Sequence, residues 1–219
     1  SADKVMTPAQ LLTDILTNYY EVDSKKISVI NNFFNEKIES RQAQQVLKRK
    51  FLFVGRLINL KNIIFLSQCF VEAQIEDWQL LVVGSGYQQQ QLEGIVNMAN
   101  GQIVLMGQKT RQEMRDLIYD QVDCLLLPSI SDIFPNTILE ALASGLPCAI
   151  SEYTGFGSDL KNSLYVFKSV TDKNIFINDL KNLTQLSTLN QLRDNMKNIN
   201  WDDYSEEKIW QAYNKFLYE

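Results

Sequence analysis

Five short apolar runs, Phe51 to Val54, Leu80 to Val83, Ile103 to Met106, Cys124 to Leu127 and Cys148 to Ile150, recur through the middle of the chain and limit its fold more than any other feature. Each is too short for a helix and too uniformly apolar for a half-exposed strand, as expected of parallel strands covered on both faces. Helical patterns lie between them. Lys61 to Val71 carries Ile64, Phe65 and Cys69, Gln88 to Asn100 carries Leu92, Ile95, Val96 and Ala99, and Thr110 to Tyr119 carries Met114, Leu117 and Ile118 at three-four spacing. The alternation predicts an α/β fold with a doubly wound parallel sheet.

The two ends stand outside this alternation. Thr7-Pro8-Ala9-Gln10 reads as a helix start, with Thr as cap and Pro at the first helical position, opening a run from Leu11 to Tyr20. Lys26 to Ile30 reads as a short strand, and residues 31 to 50 as a polar stretch ending in the solvated cluster Lys48-Arg49-Lys50. At the other end, Trp201 to Glu219 places Ile209, Trp210, Tyr213, Phe216 and Leu217 on one face of a final helix, a face that must pack on its own domain or on a partner.

Charge and residue usage exclude whole classes of chemistry. The 219 residues carry a formal net charge of −5, opposite to what a general nucleic-acid binder needs, and contain no histidine, which removes Ser-His-Asp and Cys-His catalysis and His-ligated metals from this chain. Three widely spaced cysteines, Cys69, Cys124 and Cys148, sit in apolar runs and suit reduced core thiols of a cytosolic protein. No apolar run approaches the ~18 residues of a membrane span, and Ser1-Ala2-Asp3-Lys4 lacks a signal-peptide pattern.

Candidate function concentrates after the strands. Pro128 to Pro147 reads strand end, loop and helix, with Asp132 in the loop and Glu140 eight residues later on the helix. In an open α/β sheet, ligands sit beyond the carboxyl ends of the strands and against the positive end of the following helix. Two carboxylates there suit sugar hydroxyls, which donate to carboxylate oxygens, although the pair could also serve as general acid and base. Three glycine-bearing turns follow three strands: Gly55 with Arg56 and Lys61, Gly84-Ser85-Gly86, and Gly107-Gln108-Lys109. Arg and Lys at the first would take a phosphate pair, or be ordinary surface charge; each turn alone is a weak signal.

Together the segments are specific. V-G-R-L-x3-K, V-V-G-S-G, L-M-G-Q-K-T, L-L-L-P-S and D-I-F-P-N-T-I-L-E-A-L-A-S-G-L-P occur in order after successive strands. The chain thereby resembles, from about Ile27 to Glu219, the donor-binding domain of family-4-type (group 1) glycosyltransferases, retaining enzymes of the GT-B architecture. The resemblance implies one Rossmann-like half of a GT-B fold, with residues 1–32 as the end of a missing N-terminal acceptor domain plus linker, 33–200 as the nucleotide-sugar-binding domain, and 201–219 as a crossover helix. It implies that Arg56 and Lys61 hold a diphosphate, that Glu140 binds the ribose and that Asp132 faces the transferring sugar. Gly55, Gly84, Gly107, Gln108, Phe134, Asn136 and Thr137 would complete the donor site, with Gln108 at the base. Asp132 stands where Glu is usual in the family, and Ile133 where Gly is frequent.

The implied activity is retaining hexosyl transfer from a nucleoside-diphosphate sugar, UDP- or GDP-linked, to an acceptor hydroxyl in cell-surface polysaccharide, glycolipid or glycoprotein synthesis. It implies no metal and no cofactor beyond the donor substrate, no nucleic-acid partner, and a carbohydrate, lipid or protein acceptor. A cytoplasmic protein is expected, inactive without its acceptor domain, with peripheral contact to the cytoplasmic face of a membrane through the missing half. Two alternatives share the fold: a non-catalytic nucleotide-sugar-binding or assembly subunit, and another GT-B-fold enzyme such as a sugar-nucleotide 2-epimerase.

Overall fold

A computed structural model describes residues 2–34, 46–115 and 119–218. Its centre is a sheet of six parallel strands: β3 (Lys50–Val54), β4 (Gln79–Val83), β5 (Ile103–Gly107), β6 (Cys124–Leu127), β7 (Cys148–Ile150) and β8 (Leu164–Val166). The strand order is β5-β4-β3-β6-β7-β8, so the chain winds outward from β3 to one edge and then returns to start again at β6. Phe51 of β3 pairs with Leu80 on one side and with Cys124 on the other.

Side-chain alternation splits the core into two layers. Phe51, Phe53, Leu80, Val82, Cys124 and Leu126 point to one face. They meet helices α2 (Ile63–Glu72) and α6 (Lys173–Leu183) through Leu66, Phe70, Phe176 and Leu180. Leu52, Leu81, Val83, Leu125, Leu127 and Ile150 point to the other, against Ile138, Leu139 and Leu142 of α5 (Asn136–Ala143). Because both faces are covered, the strands are apolar throughout; this is why no residue of β6 or β7 is exposed.

All five expected strands form, and the helical patterns become α2, α3 (Gln89–Met98) and α4, which starts at Arg111. Thr110 and Glu113 close a reciprocal capping box at that start, and Met114 is buried as expected, whereas Leu117 and Ile118 lie outside the described residues. One expectation fails. Thr7 does not cap the first helix: it ends the strand β1 (Val5–Thr7), and α1 (Gln10–Tyr20) begins after Ala9 without a side-chain cap. The cause is strand pairing. The Thr7 carbonyl accepts from Ile30 N at 2.9 Å, continuing the parallel ladder of β1 with β2 (Ile27–Val29), while its hydroxyl turns to Thr13 Oγ1 at 2.8 Å.

The periodicity did not mark β8, α6 or α7 (Leu186–Met196). Asp172 caps α6, accepting from Ile175 N at 3.0 Å, and the buried Asp179 inside it accepts from Tyr165 Oη and Lys168 N, both at 2.7 Å. The chain ends in α8 (Glu206–Tyr218), which buries Ile209 and leaves Trp210 56% exposed. All three cysteines are free and buried; desolvation pushes the Cys69 thiol up to about 12 and raises Cys124 and Cys148 as well.

A buried carboxylate fixes the amino end of the sheet. Asp123, fully buried, accepts from the amides of Lys48 and Lys50, each at 3.1 Å, and faces the buried guanidinium of Arg193 on α7 at 4.0 Å. Asp123→Ala leaves two amides and a buried cation without that acceptor, and should cost about 3 kcal/mol of unfolding free energy in a denaturant titration. Tyr165 tests the opposite edge. Desolvation first, and then its bond to Asp179, pushes its hydroxyl up to about 12. A folded pKa above the unfolded value stabilises fully below the unfolded pKa of about 10 and is lost as pH rises through the folded one. Absorbance titration of the phenolates should therefore show Tyr165 ionising at about pH 12, together with a loss of stability in that range.

Candidate functional site

The winding reversal between β3 and β6 parts the loops at their carboxyl ends and leaves a cleft there. Its first wall is made of backbone. Gly84 N donates to Gly107 O at 2.8 Å, Gly55 N to Val83 O at 3.0 Å, and Leu57 N to Ser85 O at 2.8 Å, so three successive loops are laced edge to edge. Gly84, at φ 142°, lies so close to Gly55 that a Cβ would overlap the Gly55 carbonyl oxygen. Gly107, at φ 68°, has open space around it instead. The lacing leaves a hollow of about 300 Å³ lined by Gly55, Arg56, Gly84, Ser85, Gln108 and Lys109. Gln108 Nε2 donates to Ser85 Oγ at 2.6 Å, which fixes its side chain across this hollow.

The second wall carries the ionic groups. Lys61 Nζ and Asp132 Oδ2 form a direct ion pair whose side chains are only 16% and 13% exposed. Asp132 is held by its backbone as well: its amide donates to Tyr153 O at 3.1 Å and its carbonyl accepts from Gly155 N at 2.7 Å. Gly155 is obligatory for that approach, since a Cβ would overlap the Ile133 carbonyl oxygen. Ile130 N reaches Leu60 O at 2.9 Å, tying the same loop to the Lys61 turn. Ile133 does not have a positive φ, so the absence of glycine there imposes no backbone strain; its side chain is simply exposed.

Glu140 lies one turn into α5, with its side chain 17% exposed and its Oε1 3.0 Å from Arg111 Nε. The N-terminus of α5 begins after Pro135 with no side-chain cap, and Ile138 N donates back to Pro135 O at 3.0 Å. Asn32 Nδ2 donates to Asn136 Oδ1 at 2.8 Å and approaches Phe134 O at 3.4 Å, stitching the segment after β2 onto this helix start. A larger cavity of about 490 Å³ opens there, lined by Asn136, Leu139, Glu140 and Arg111 and roofed by Phe34, Trp210 and Tyr213.

Of the sequence-predicted residues, Gly55, Arg56, Gly84 and Gln108 thus share one hollow, Lys61 and Asp132 pair with each other, and Asn136 and Glu140 share the larger cavity. Gly107 ends β5 as a backbone acceptor, Phe134 packs half-buried on the core, and Thr137 is half-buried in the first turn of α5. Ser85 and Lys109 were read only as members of glycine-bearing turns, without a site role, and Arg111 was not singled out. Lys109 and Arg111 flank Thr110 at a helix start, where a cation is unfavourable to the helix dipole, and that misplacement was the available signal. Among the described residues no cluster of three or more metal-ligating acids and cysteines occurs, and no helix is long and apolar enough to cross a membrane.

A parallel α/β domain whose strand order reverses in this way is a Rossmann-like, doubly wound fold, in which ligands sit at the switch point. The family is narrower: residues 48–185 match the model of the group 1 glycosyl transferases, and the chain belongs to that family. It is 30% identical over 197 residues to the UDP-Gal:alpha-D-GlcNAc-diphosphoundecaprenol alpha-1,3-galactosyltransferase of Escherichia coli, covering 81% of this chain and 50% of that protein. It is 28% identical over 191 residues to the O-antigen chain mannosyltransferase RfbU of Salmonella typhimurium, covering 83% and 51%. The fold matches sucrose-phosphate synthase from Thermosynechococcus elongatus with a TM-score of 0.79 at 20% identity, covering 99% of this chain and 59% of that one. It also matches the pneumococcal O-GlcNAc transferase GtfA, solved with UDP and GlcNAc, with a TM-score of 0.76 at 20% identity over 100% and 46% of the two chains. The chain spans about half the length of these two curated relatives.

The glycine lacing gives a direct contrast. Gly84→Ala should lower unfolding free energy by about 2 kcal/mol or more, because strained φ and backbone overlap coincide. Gly107→Ala meets no atom and should cost only about 1 kcal/mol, from its φ alone. Parallel denaturant titrations of the two variants measure the difference.

Proposed function

We propose that this chain is the donor-binding part of a retaining hexosyltransferase that takes a nucleoside-diphosphate sugar. One observation carries the reading: Arg56, Lys61, Asp132, Glu140 and an uncapped helix start all stand beyond the carboxyl ends of β3 and β6, beside a hollow lined by Gly55 and Gly84. Arg56 and Lys61, with the amides near Asn136 and Thr137, would hold the diphosphate and stabilise the charge that grows on it as it departs. Glu140 would take the ribose hydroxyls and Asp132 the transferring sugar, both as orienting groups. Gln108 would lie at the base. In this scheme the protein's own cations neutralise the leaving group, so no metal or further cofactor is assigned. The Escherichia coli relative is named for a UDP-linked galactose donor, and GtfA was solved with UDP, which supports a uridine nucleotide.

The domain reading rests on a physical anomaly. β1 and β2 form a two-stranded parallel sheet, which lacks the coverage that parallel strands ordinarily have, and Met6 and Val29 on it are exposed. Residues 1–32 are accordingly proposed as the edge of an acceptor domain and its linker, and residues 201–219, with exposed Trp210 and Leu217, as the helix that crosses to it. A cytoplasmic location at a membrane face follows from an undecaprenol-linked acceptor like the one in that relative's name.

The assembly-subunit alternative draws on the Lys61–Asp132 pair, which engages the diphosphate lysine before any ligand arrives. Calorimetry with UDP, GDP and their sugars separates the two. Binding to this chain, together with a ten- to thousandfold lower rate for Arg56→Ala in the full-length protein, roughly the loss expected for one charge-stabilising group, is the expected result. An unchanged rate refutes the assigned role of Arg56, and no nucleotide binding at millimolar concentration favours the assembly subunit.

A further inference from the structure

Away from the cleft, a second hollow of about 340 Å³ lies between β2 and α8, lined by Lys4, Lys25, Lys26 and Lys215 over a floor that includes Val29, Ile30 and Phe216. No acidic residue lines it. The cations come from three separate stretches: Lys4 precedes β1, Lys25 and Lys26 end the single 3₁₀ turn Ser24–Lys26, and Lys215 belongs to the last turn of α8. Lys4 is fixed in place, donating to Phe216 O at 3.1 Å with its Nζ 5.9 Å from that ring's centroid.

Such a cluster is unexpected on a chain of net charge −5. Some exposed lysines elsewhere stand against carboxylates, Lys173 on Glu72, Lys197 on Asp194, and Lys208 between Asp202 and Asp203, while Lys161, Lys168 and Lys181 stand singly and apart from one another. Among the described residues, Lys25, Lys26 and Lys215 have no such partner. Helix-end carbonyls favour a cation at each terminus, and so account for each lysine singly. They do not account for convergence. Like charges gathered round one concave surface repel, and the arrangement becomes favourable when an anion fills it.

We propose that this hollow is a binding site for a phosphate ester, distinct from the donor cleft. Lysine ammonium groups are compact point charges suited to phosphate, and the apolar floor suits a carbon portion attached to it. A volume of about 340 Å³ accommodates a single phosphate with a small organic group, whether a free metabolite or the headgroup of an anionic lipid. None of its lining residues belongs to the donor cleft, but all lie in residues 1–32 and 201–219, proposed above as the edge of the acceptor domain and its crossing helix, so the test is made in the full-length protein.

The test uses the triple variant Lys25→Gln/Lys26→Gln/Lys215→Gln, whose substituted side chains are all exposed and leave the core intact. A charge-matched control, Lys161→Gln/Lys168→Gln/Lys181→Gln, alters exposed lysines elsewhere. In one arm, co-sedimentation with phosphatidylglycerol vesicles is compared with phosphatidylcholine vesicles at low and high salt. In the other, glycerol phosphate is titrated while the side-chain NMR signals of the lysines, assigned by the single variants, are followed. Saturable, salt-sensitive binding in either arm is expected, with affinity about a hundredfold lower in the triple variant, from a factor of roughly five per lysine, and unchanged in the control. Response in the vesicle arm alone identifies a lipid headgroup; response in the soluble arm identifies a free phosphate ester. No binding in both arms, or equal loss in the control, overturns the proposal.

Discussion

The need of parallel strands to be covered on both faces governs this molecule. β3 and β6 are neighbours in the sheet but 73 residues apart at both paired positions, Phe51 with Cys124 and Leu52 with Leu125, with β4, β5 and their helices wound out between them. Covering the first face with α2 and the second with α5 sends the chain from β3 and from β6 to opposite faces of the sheet, while Ile130 N on Leu60 O keeps their loops tied at one point. The cleft is the gap so produced. Nothing in the site has to hold it open; it follows from the winding, and the polar residues need only occupy positions that the apolar ones have already set.

Within that gap, side chains neutralise one another before any ligand is considered. Lys61 stands on Asp132 and Arg111 on Glu140, while Arg56 lines the hollow between them. The two pairs differ in kind. Lys61 and Asp132 are both largely removed from water, so their attraction is weakly screened, whereas Arg111 is 66% exposed and its hold on Glu140 is correspondingly slight. On the donor reading, a ribose would displace Arg111 cheaply, and a diphosphate would have to share Lys61 with a carboxylate pinned by its own backbone.

The strands were legible because uniform apolar runs have few other uses, and the strand–loop–helix from Leu127 to Gly145 was legible because its boundaries are marked by Pro128 and Gly145. β8 was not, since three residues with a half-exposed Tyr165 carry no period and become a strand only by pairing with Ile150 and its neighbours. Thr7 misled for a related reason. A hydroxyl beside a proline is a good local cap, but the partner strand, paired Thr7 to Val29, claimed the backbone first. In the site the individual residues could be read and their pairings could not: Arg111 and Glu140 meet only after β6 has been laid beside β3.

What the fold leaves variable is as informative as what it fixes. Gly84 and Gly155 admit no side chain, because backbone from another loop occupies the space that a Cβ would need. Those contacts set the depth of the cleft and the height of the Asp132 loop. By contrast, the Gln108 side chain rests on Ser85 and the Asp132 side chain on Lys61, where a methylene more or less, about 1.5 Å of reach, alters contacts without altering the fold. A domain built this way keeps the shape of its cleft in backbone and leaves its contacts to a few side chains. Ligand choice can then change while the sheet, its reversal and its laced loops remain the same.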